Sequence, residues 1–227
     1  MGKIIFITGT DTGVGKTFLT ALLLRHLRQK KIHALAMKPF CTGSREDVYL
    51  LQKLQPGELS DSTMNPFYFR RPVAPFVAAQ MQGKKIYLNE VLKKIFKLKD
   101  RCDVLLVEGA GGLMVPLGSG FLTRDLIAKL DCQILIVARN SLGTLNHTLL
   151  SAEALLMSGC KQFAVVLMNL SSGDTSAGSN KKTLETLLHS TKVLLIPFLP
   201  NGLKQAGAAT PCGKKIKKIL AAMIETD

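Results

Sequence analysis

IIFITGTDTGVGKTFLTALLLRHL, residues 4–27, changes periodicity twice within one short stretch. Ile4–Thr8 is an apolar, largely β-branched run of strand length. Gly9-Thr10-Asp11-Thr12-Gly13-Val14-Gly15 is a glycine-punctuated turn, and from Lys16 the leucines recur at the three- and four-residue spacing of a helix. Strand, glycine-rich loop and helix in that order are the context in which backbone N–H groups converge on a phosphate at a helix N-terminus. Gly13, Val14, Gly15, Lys16, Thr17 and Phe18 are therefore read as nucleotide-binding, with Lys16 reaching the β/γ-phosphate oxygens and the Thr17 hydroxyl able to ligate Mg²⁺. The strict pattern G-x-x-x-x-G-K-[ST] is met except at its first position, where Thr10 stands and Gly9 precedes it.

Outward from this stretch the same alternation repeats. Ile4–Thr8, His33–Met37, Val104–Val107, Ile134–Ala138, Phe163–Met168 and Val193–Ile196 read as strands apolar on both faces, as a covered parallel sheet requires. Between them Lys16–Gln29, Leu88–Leu98, Leu122–Leu130, Leu145–Met157, Lys181–Leu188 and Lys215–Ile224 carry helical spacing, with Gly159 where a left-handed C-terminal cap belongs. The expectation is one domain over residues 1–227, of α/β class, with a doubly wound, mainly parallel sheet and helices on both faces. Thr42–Leu54 reads as a loop and short helix, Pro56–Pro75 as a long proline-punctuated connection, and Ser171–Asn180 as a polar loop.

Composition narrows the setting. The longest apolar stretches, such as Cys132–Ala138 and Lys192–Leu199, are strand-sized, well short of the roughly 18 residues of a membrane-spanning helix. Met1-Gly2-Lys3 leads straight into a strand with no cleavage-site pattern, so a cytoplasmic chain without membrane association is expected. Five cysteines, none spaced as C-x-x-C, support neither a disulfide framework nor a zinc site. The formal charge of +14 would suit an anionic partner, but its lysine pairs lie on segments with helical apolar spacing and without interleaved aromatics. They read as solvated helix faces, and no nucleic acid is expected to bind.

Charge at the strand ends separates a reaction from simple nucleotide binding. The second strand runs into Lys38-Pro39-Phe40-Cys41-Thr42-Gly43, and the third into Glu108-Gly109-Ala110-Gly111-Gly112, whose glycines would let backbone approach a ligand. Asp47 follows shortly after Thr42. Thr17, Asp47 and Glu108 are hard oxygen donors suited to Mg²⁺, while Lys16 and Lys38 would neutralise charge on a transferring phosphoryl group. Gly143-Thr144-Leu145-Asn146-His147 follows the fourth strand and opens a helix, so its free N–H groups form a site for an anion such as a carboxylate.

GTDTGVGKT, KPFCTG, the downstream Asp47, NPFYFRRPVAPFVAA, VEGAGGLMVPL and SLGTLNHTLL together resemble the successive signature segments of the dethiobiotin synthetases, in order and across most of the chain. The resemblance implies the P-loop NTPase fold, a requirement for ATP and Mg²⁺, and a homodimer. It implies that 7,8-diaminononanoate takes up CO₂ as a carbamate, that ATP phosphorylates the carbamate, and that the neighbouring amine closes a cyclic urea with loss of phosphate. By the same resemblance Lys38 is the catalytic lysine, acting with Lys16, and Thr42 contacts substrate. Gly143, Thr144, Leu145 and Asn146 would hold the substrate carboxylate from the partner subunit. Asp47, Glu108, Gly109, Ala110 and Gly111 would face ATP, with Asn169, Pro197, Phe198 and Leu199 around the base. Three positions depart from the family: Gly13 where some members have Glu, Phe76 where His is frequent, and Lys204 where an acid is expected. Only Asn169 then remains to read the base edge, and weak nucleotide discrimination is expected.

Three other readings fit less well. A partitioning-type P-loop ATPase carries K-G-G-x-G-K-[ST], whose early lysine is replaced here by Asp11. An amidotransferase-type synthetase would need a glutaminase region for which the chain has no room. A non-catalytic nucleotide-binding module would show no ATP turnover with diamine and bicarbonate.

Overall fold

The computed structural model describes residues 2–171, 174–189, 191–207 and 211–224. In chain order the elements are β1 (Lys3–Gly9), α1 (Lys16–Gln29), β2 (Ala34–Met37), β3 (Phe40–Thr42), α2 (Glu46–Leu54), α3 (Asp61–Met64), β4 (Phe67–Phe69), α4 (Pro75–Gln80), α5 (Leu88–Lys99) and β5 (Val104–Gly112). The second half supplies β6 (Pro116–Gly118), β7 (Phe121–Leu122), α6 (Thr123–Ile127), β8 (Cys132–Arg139), α7 (Thr144–Met157), β9 (Phe163–Met168), α8 (Ala177–Leu187), β10 (Lys192–Ile196), α9 (Gly202–Gly207) and α10 (Pro211–Ile224). Six strands form one sheet in the order β10-β9-β8-β1-β5-β2, with every pairing parallel. The chain leaves β1 toward β5 and β2, then returns to build β8, β9 and β10 on the other side. The topological switch therefore falls at β1, and the carboxyl end of β1 is where such a sheet binds its ligand.

The core follows from the apolar strand runs. Ile4, Ile5, Phe6 and Ile7 of β1 and Leu105, Leu106 and Val107 of β5 are all at most 1% exposed, so both faces of the central strands are covered. Helix α1 packs with α2, α9 and α10, whereas α7 packs with α8. In α5 the buried Val91, Ile95 and Leu98 form one stripe, and Lys93, Lys94 and Lys97 face out, the solvated arrangement expected of the lysine pairs. Gly159 takes a positive φ of 82°, its N–H donates to Leu156 O, and Cys160 N donates to Leu155 O, completing the expected C-terminal cap of α7. No helix among the described residues is long and apolar enough to cross a membrane.

Four local expectations are corrected. The third strand, expected over Val104–Val107, runs on through Glu108–Gly112 as the last part of β5, held in register against β1 as far as Gly9↔Gly112. The connection Pro56–Pro75 holds α3 and β4, and β4 pairs in parallel with β3 under a Phe40–Phe67 ring stack at 4.9 Å. The helix expected over Leu122–Leu130 is only Thr123–Ile127, because Phe121–Leu122 turns back on Pro116–Gly118 as a hairpin. The Ser171–Asn180 loop ends early, since α8 starts at Ala177; residues 172 and 173, like Met1, lie outside the described residues.

Strand β2 is an edge, and an edge exposes unpaired N–H and C=O groups. Here the fully buried Gln55 takes the place of a further strand: its Nε2 donates to Ala36 O at 2.7 Å, and Ala36 N donates to its Oε1 at 3.0 Å. The arrangement fixes the strand whose next residue is Lys38. Gln55→Leu would leave both Ala36 groups buried and unpaired, and a loss of about 2–4 kcal/mol in unfolding free energy is expected by denaturant titration.

Candidate active site

Gly15, at φ 101°, is the N-cap of α1 and gives it no side-chain cap, which leaves the first-turn N–H groups for a ligand. Lys16 Nζ meanwhile donates to Asp11 O at 2.7 Å and folds back onto its own loop. Val14 is 5% exposed, so only its backbone can serve a phosphate. Burial, and next the Lys38 ammonium, pull Lys16 down to about 8. An arriving polyphosphate would reverse that shift by supplying opposite charge.

Beside the loop, four side chains from four elements meet. Lys38 Nζ, just past β2, lies 2.5 Å from Glu108 Oε1 on β5 and 2.8 Å from Asp47 Oδ2 on α2. Thr17 Oγ1 on α1 donates to the same Glu108 oxygen at 2.7 Å. Burial alone would depress the Lys38 ammonium, but Glu108 and Asp47 outweigh it and hold it above the usual lysine range. Burial alone would likewise raise the Asp47 carboxyl, and Lys38 holds it below the ordinary range. Backbone bonds keep Lys38 in place: its N–H donates to Met64 O, and the buried Asn65 donates through Nδ2 to Lys38 O at 2.8 Å.

Glu108 is fully buried, and its second oxygen, Oε2, has no hydrogen-bond partner. An orphaned carboxylate oxygen beside a threonine hydroxyl and a half-exposed Asp47 is a donor set that fits Mg²⁺. Among the described residues no group of three or more His, Cys, Asp or Glu is arranged to hold a metal by itself. Protein oxygens would thus supply part of the shell, and phosphate oxygens and water the rest.

The remaining expected residues divide. Asn169, Pro197, Phe198 and Leu199 end β9 and follow β10, next to the loop: Met168 lies 3.3 Å from the Cβ position of Gly15. Phe198 is exposed and Leu199 buried, so Leu199 can contribute only backbone. Thr42 ends β3, half-buried. Gly109 is small for a different reason from the one expected, since a Cβ there would sit 3.1 Å from the Phe6 ring; Gly112 meets backbone oxygens of Gly9 and Thr10. These glycines dock β5 against β1 and the loop. Ala110 and Gly111 are half-buried on the same strand end.

Gly143–Asn146 are not brought to Lys38. Strand β8, which leads to them, is three strand spacings from β2, about 14 Å. Helix α7 instead lines a groove of about 440 Å³ with the shoulder of the phosphate loop, through His147, Leu150 and Ser151. Phe76 is half-buried in α4 and Lys204 exposed in α9. Two features gave no sequence signal. Arg139 donates to Gly13 O at 3.1 Å, and Asn140 and Asn180 hydrogen-bond to each other beside Asn169. Polar residues just past a strand end are too common to single out.

The family described as "AAA domain" matches residues 3–206. The ATP-dependent dethiobiotin synthetase BioD of Bacillus licheniformis is 39% identical over 175 residues, 75% of this chain and 74% of that protein. The protein of the same name from Anaeromyxobacter dehalogenans is 35% identical over 226 residues, 97% of this chain and 98% of its own. Among solved structures, the cell division ATPase MinD of Pyrococcus furiosus aligns over 99% of this chain and 98% of its own with a TM-score of 0.63 at 18% identity, a likeness of fold alone.

Removing Lys38 would strand the fully buried Glu108 carboxylate. Lys38→Ala should therefore lose about 3–5 kcal/mol of stability, the cost of an uncompensated buried charge. Adding Glu108→Gln should restore part of it. Both changes are read by chemical denaturation, and a Lys38→Ala variant as stable as the parent would contradict the pairing.

Proposed function

The chain belongs to the ATP-dependent dethiobiotin synthetase family, and from that premise we propose that it joins CO₂ to a vicinal diamine, 7,8-diaminononanoate, at the expense of ATP to form dethiobiotin. The observation that carries this reading is the buried Lys38 ammonium, shared by Glu108 and Asp47 two strands from a phosphate loop. One amine of the substrate adds CO₂ and loses a proton, giving a carbamate. A carbamate oxygen then takes the γ-phosphoryl group of ATP, releasing ADP. The second amine attacks the carbamoyl carbon, the C–O bond to phosphate breaks, and the cyclic urea forms.

Lys38 would sit where negative charge builds on the carbamate and the moving phosphoryl group, as an electrostatic catalyst and not a nucleophile. Two carboxylates keep it protonated, which a nucleophilic lysine could not tolerate. Lys16 would leave Asp11 O for the β/γ oxygens, and the uncapped first-turn N–H groups of α1 would take the rest of the phosphate charge. Thr17, Asp47 and Glu108 would hold Mg²⁺, which when bound neutralises charge between the phosphates. Thr42 would contact the substrate. Residues 1–227 would act as one ligase domain. All five cysteines are unpaired, and burial pushes the Cys132 thiol up to about 12, chemistry that suits a reducing cytoplasm.

The substrate carboxylate lies several methylenes from its amines, and Gly143–Asn146 lie far from Lys38 of the same chain. The proposal therefore includes a homodimer in which each subunit's α7 N-terminus serves the other's site. ATP turnover should depend on both the diamine and bicarbonate and yield a cyclic urea by mass spectrometry. Turnover independent of the diamine would refute the assignment. Lys38→Gln, which keeps a donor toward Glu108, should lose most ring closure while still binding ATP. Leu145→Pro removes a free first-turn N–H and should also be inactive. Randomised equal mixtures of the two should regain roughly a quarter of parental activity, since half the dimers carry one intact site. No recovery despite proven subunit exchange would refute the shared site.

A further inference from the structure

The phosphate loop is held unevenly along its length. At its start Thr10 N donates to Val137 O at 2.9 Å and Thr12 N to Asp11 Oδ1 at 2.6 Å, while Lys16 Nζ donates back to Asp11 O. Its second half is Gly13-Val14-Gly15. Among the described residues, hydrogen bonds from outside the loop and α1 reach this half at one atom, the Gly13 carbonyl, which accepts from Nε and Nη2 of Arg139 at 3.3 and 3.1 Å. Gly13 makes room for this fork. A Cβ there would lie 3.0 Å from Arg139 Nη2, and the backbone stands at φ 70°, a conformation that side chains disfavour.

That bond sets where the neighbouring donor points. The Gly13–Val14 peptide is trans, so its C=O and N–H point to opposite sides. With the carbonyl drawn toward Arg139, the Val14 N–H is turned to the other side of the loop, and no hydrogen bond among the described residues uses it. Gly13 at φ 70° and Gly15 at φ 101° flank Val14 at a negative φ, an alternation of hands that gathers successive N–H groups into one concavity for an anion. N–H dipoles gathered side by side repel one another until an anion joins them. The glycine torsion ψ of residue 13 is where the peptide yields most easily, whereas Val14, β-branched and buried, resists its complete reversal. A guanidinium on the carbonyl opposes the remaining swing and polarises the peptide, which makes its N–H a stronger donor.

Arg139 is exposed, and no carboxylate among the described residues lies within ion-pair distance of it. Its hydrogen-bonding partner is thus the loop itself. We infer that Arg139 is a positioning residue for the triphosphate, fixing the Gly13–Val14 peptide so that the Val14 N–H meets a phosphate oxygen. This rests on the reading of residues 13–18 as the phosphate site. It also gives a reason for Gly13, one of the three departures from the family pattern, because only glycine admits the guanidinium to that carbonyl.

Titration calorimetry of ATP, ADP and adenosine, each with Mg²⁺, on the parent, Arg139→Ala and Arg139→Lys provides the test. Arg139→Ala should weaken ATP and ADP by about tenfold, the worth of a charge-assisted hydrogen bond at an exposed site. Adenosine, which has no phosphate, should change by less than about twofold. Arg139→Lys keeps a charged donor near the carbonyl and should recover part of the loss. In turnover, the KM for ATP should rise by a similar factor while kcat and the KM for the diamine hold, the mark of a contact made equally in ground and transition states. A packing defect at the end of β8 would instead weaken adenosine and the diamine as well. Ionic strength separates a held peptide from a distant charge: the ratio between parent and Arg139→Ala should persist in high salt, where long-range attraction is screened. The positioning role is overturned if Arg139→Ala binds ATP as tightly as the parent, loses adenosine to the same degree, or differs from the parent only at low salt. If the parent itself holds ATP no more tightly than adenosine, the reading of the phosphate loop falls instead.

Discussion

A carboxylate with no exposed surface, Glu108, is the constraint around which the site is organised. Buried, it needs a cation and donors within reach, and the sheet order brings them to one of its two oxygens, Oε1. Strand β5 lies between β1 and β2, so its carboxyl end receives Thr17 from the helix after β1 and Lys38 from the end of β2. Asp47 then balances the second half of the Lys38 charge from α2. Moving any one strand would leave a bare charge in the interior at a cost of several kcal/mol. Fold and chemistry are for this reason hard to separate here, because the residues proposed to handle phosphate also lock two strands and two helices together.

The central sheet was legible because its strands are apolar on both faces and its helices are amphipathic, two patterns that survive without knowledge of contacts. Helix α1 was readable to both ends, from Lys16 after a glycine N-cap to Gln29. The additions to the core were not. Phe40–Thr42 and Phe67–Phe69 are three-residue strands that exist only because they find each other across a long connection. The strand was expected to stop at Val107, before the glycines of Glu108–Gly112, yet those glycines are what allow β5 to press against Phe6 and the phosphate loop. In the site, Lys16, Thr17, Lys38, Asp47 and Glu108 could be named because charge at the end of an apolar strand is conspicuous. Gln55, Asn65, Asn140 and Asn180 could not, since an amide gains its role only from the backbone groups it happens to face.

The fold is shared with proteins of different work. A cell division ATPase aligns along almost the whole chain while keeping 18% identity, so the parallel sheet and its phosphate loop say little about what is done with the nucleotide. The difference lies at the strand ends. Asp11 occupies the loop position where the partitioning-type pattern has a lysine, and its carbonyl, not its side chain, receives Lys16. The second basic group near this loop comes instead from Lys38, two strands away in the sheet and held by carboxylates.

Gln55 has a bearing beyond the strand it caps. By occupying the hydrogen-bonding groups at the centre of β2, it closes that border of the sheet to extension, and an extended segment from a neighbouring molecule would find no free ladder there. Association across this side by a continuous intermolecular sheet is blocked. Pairing of that kind could then involve only the opposite border of the sheet, β10.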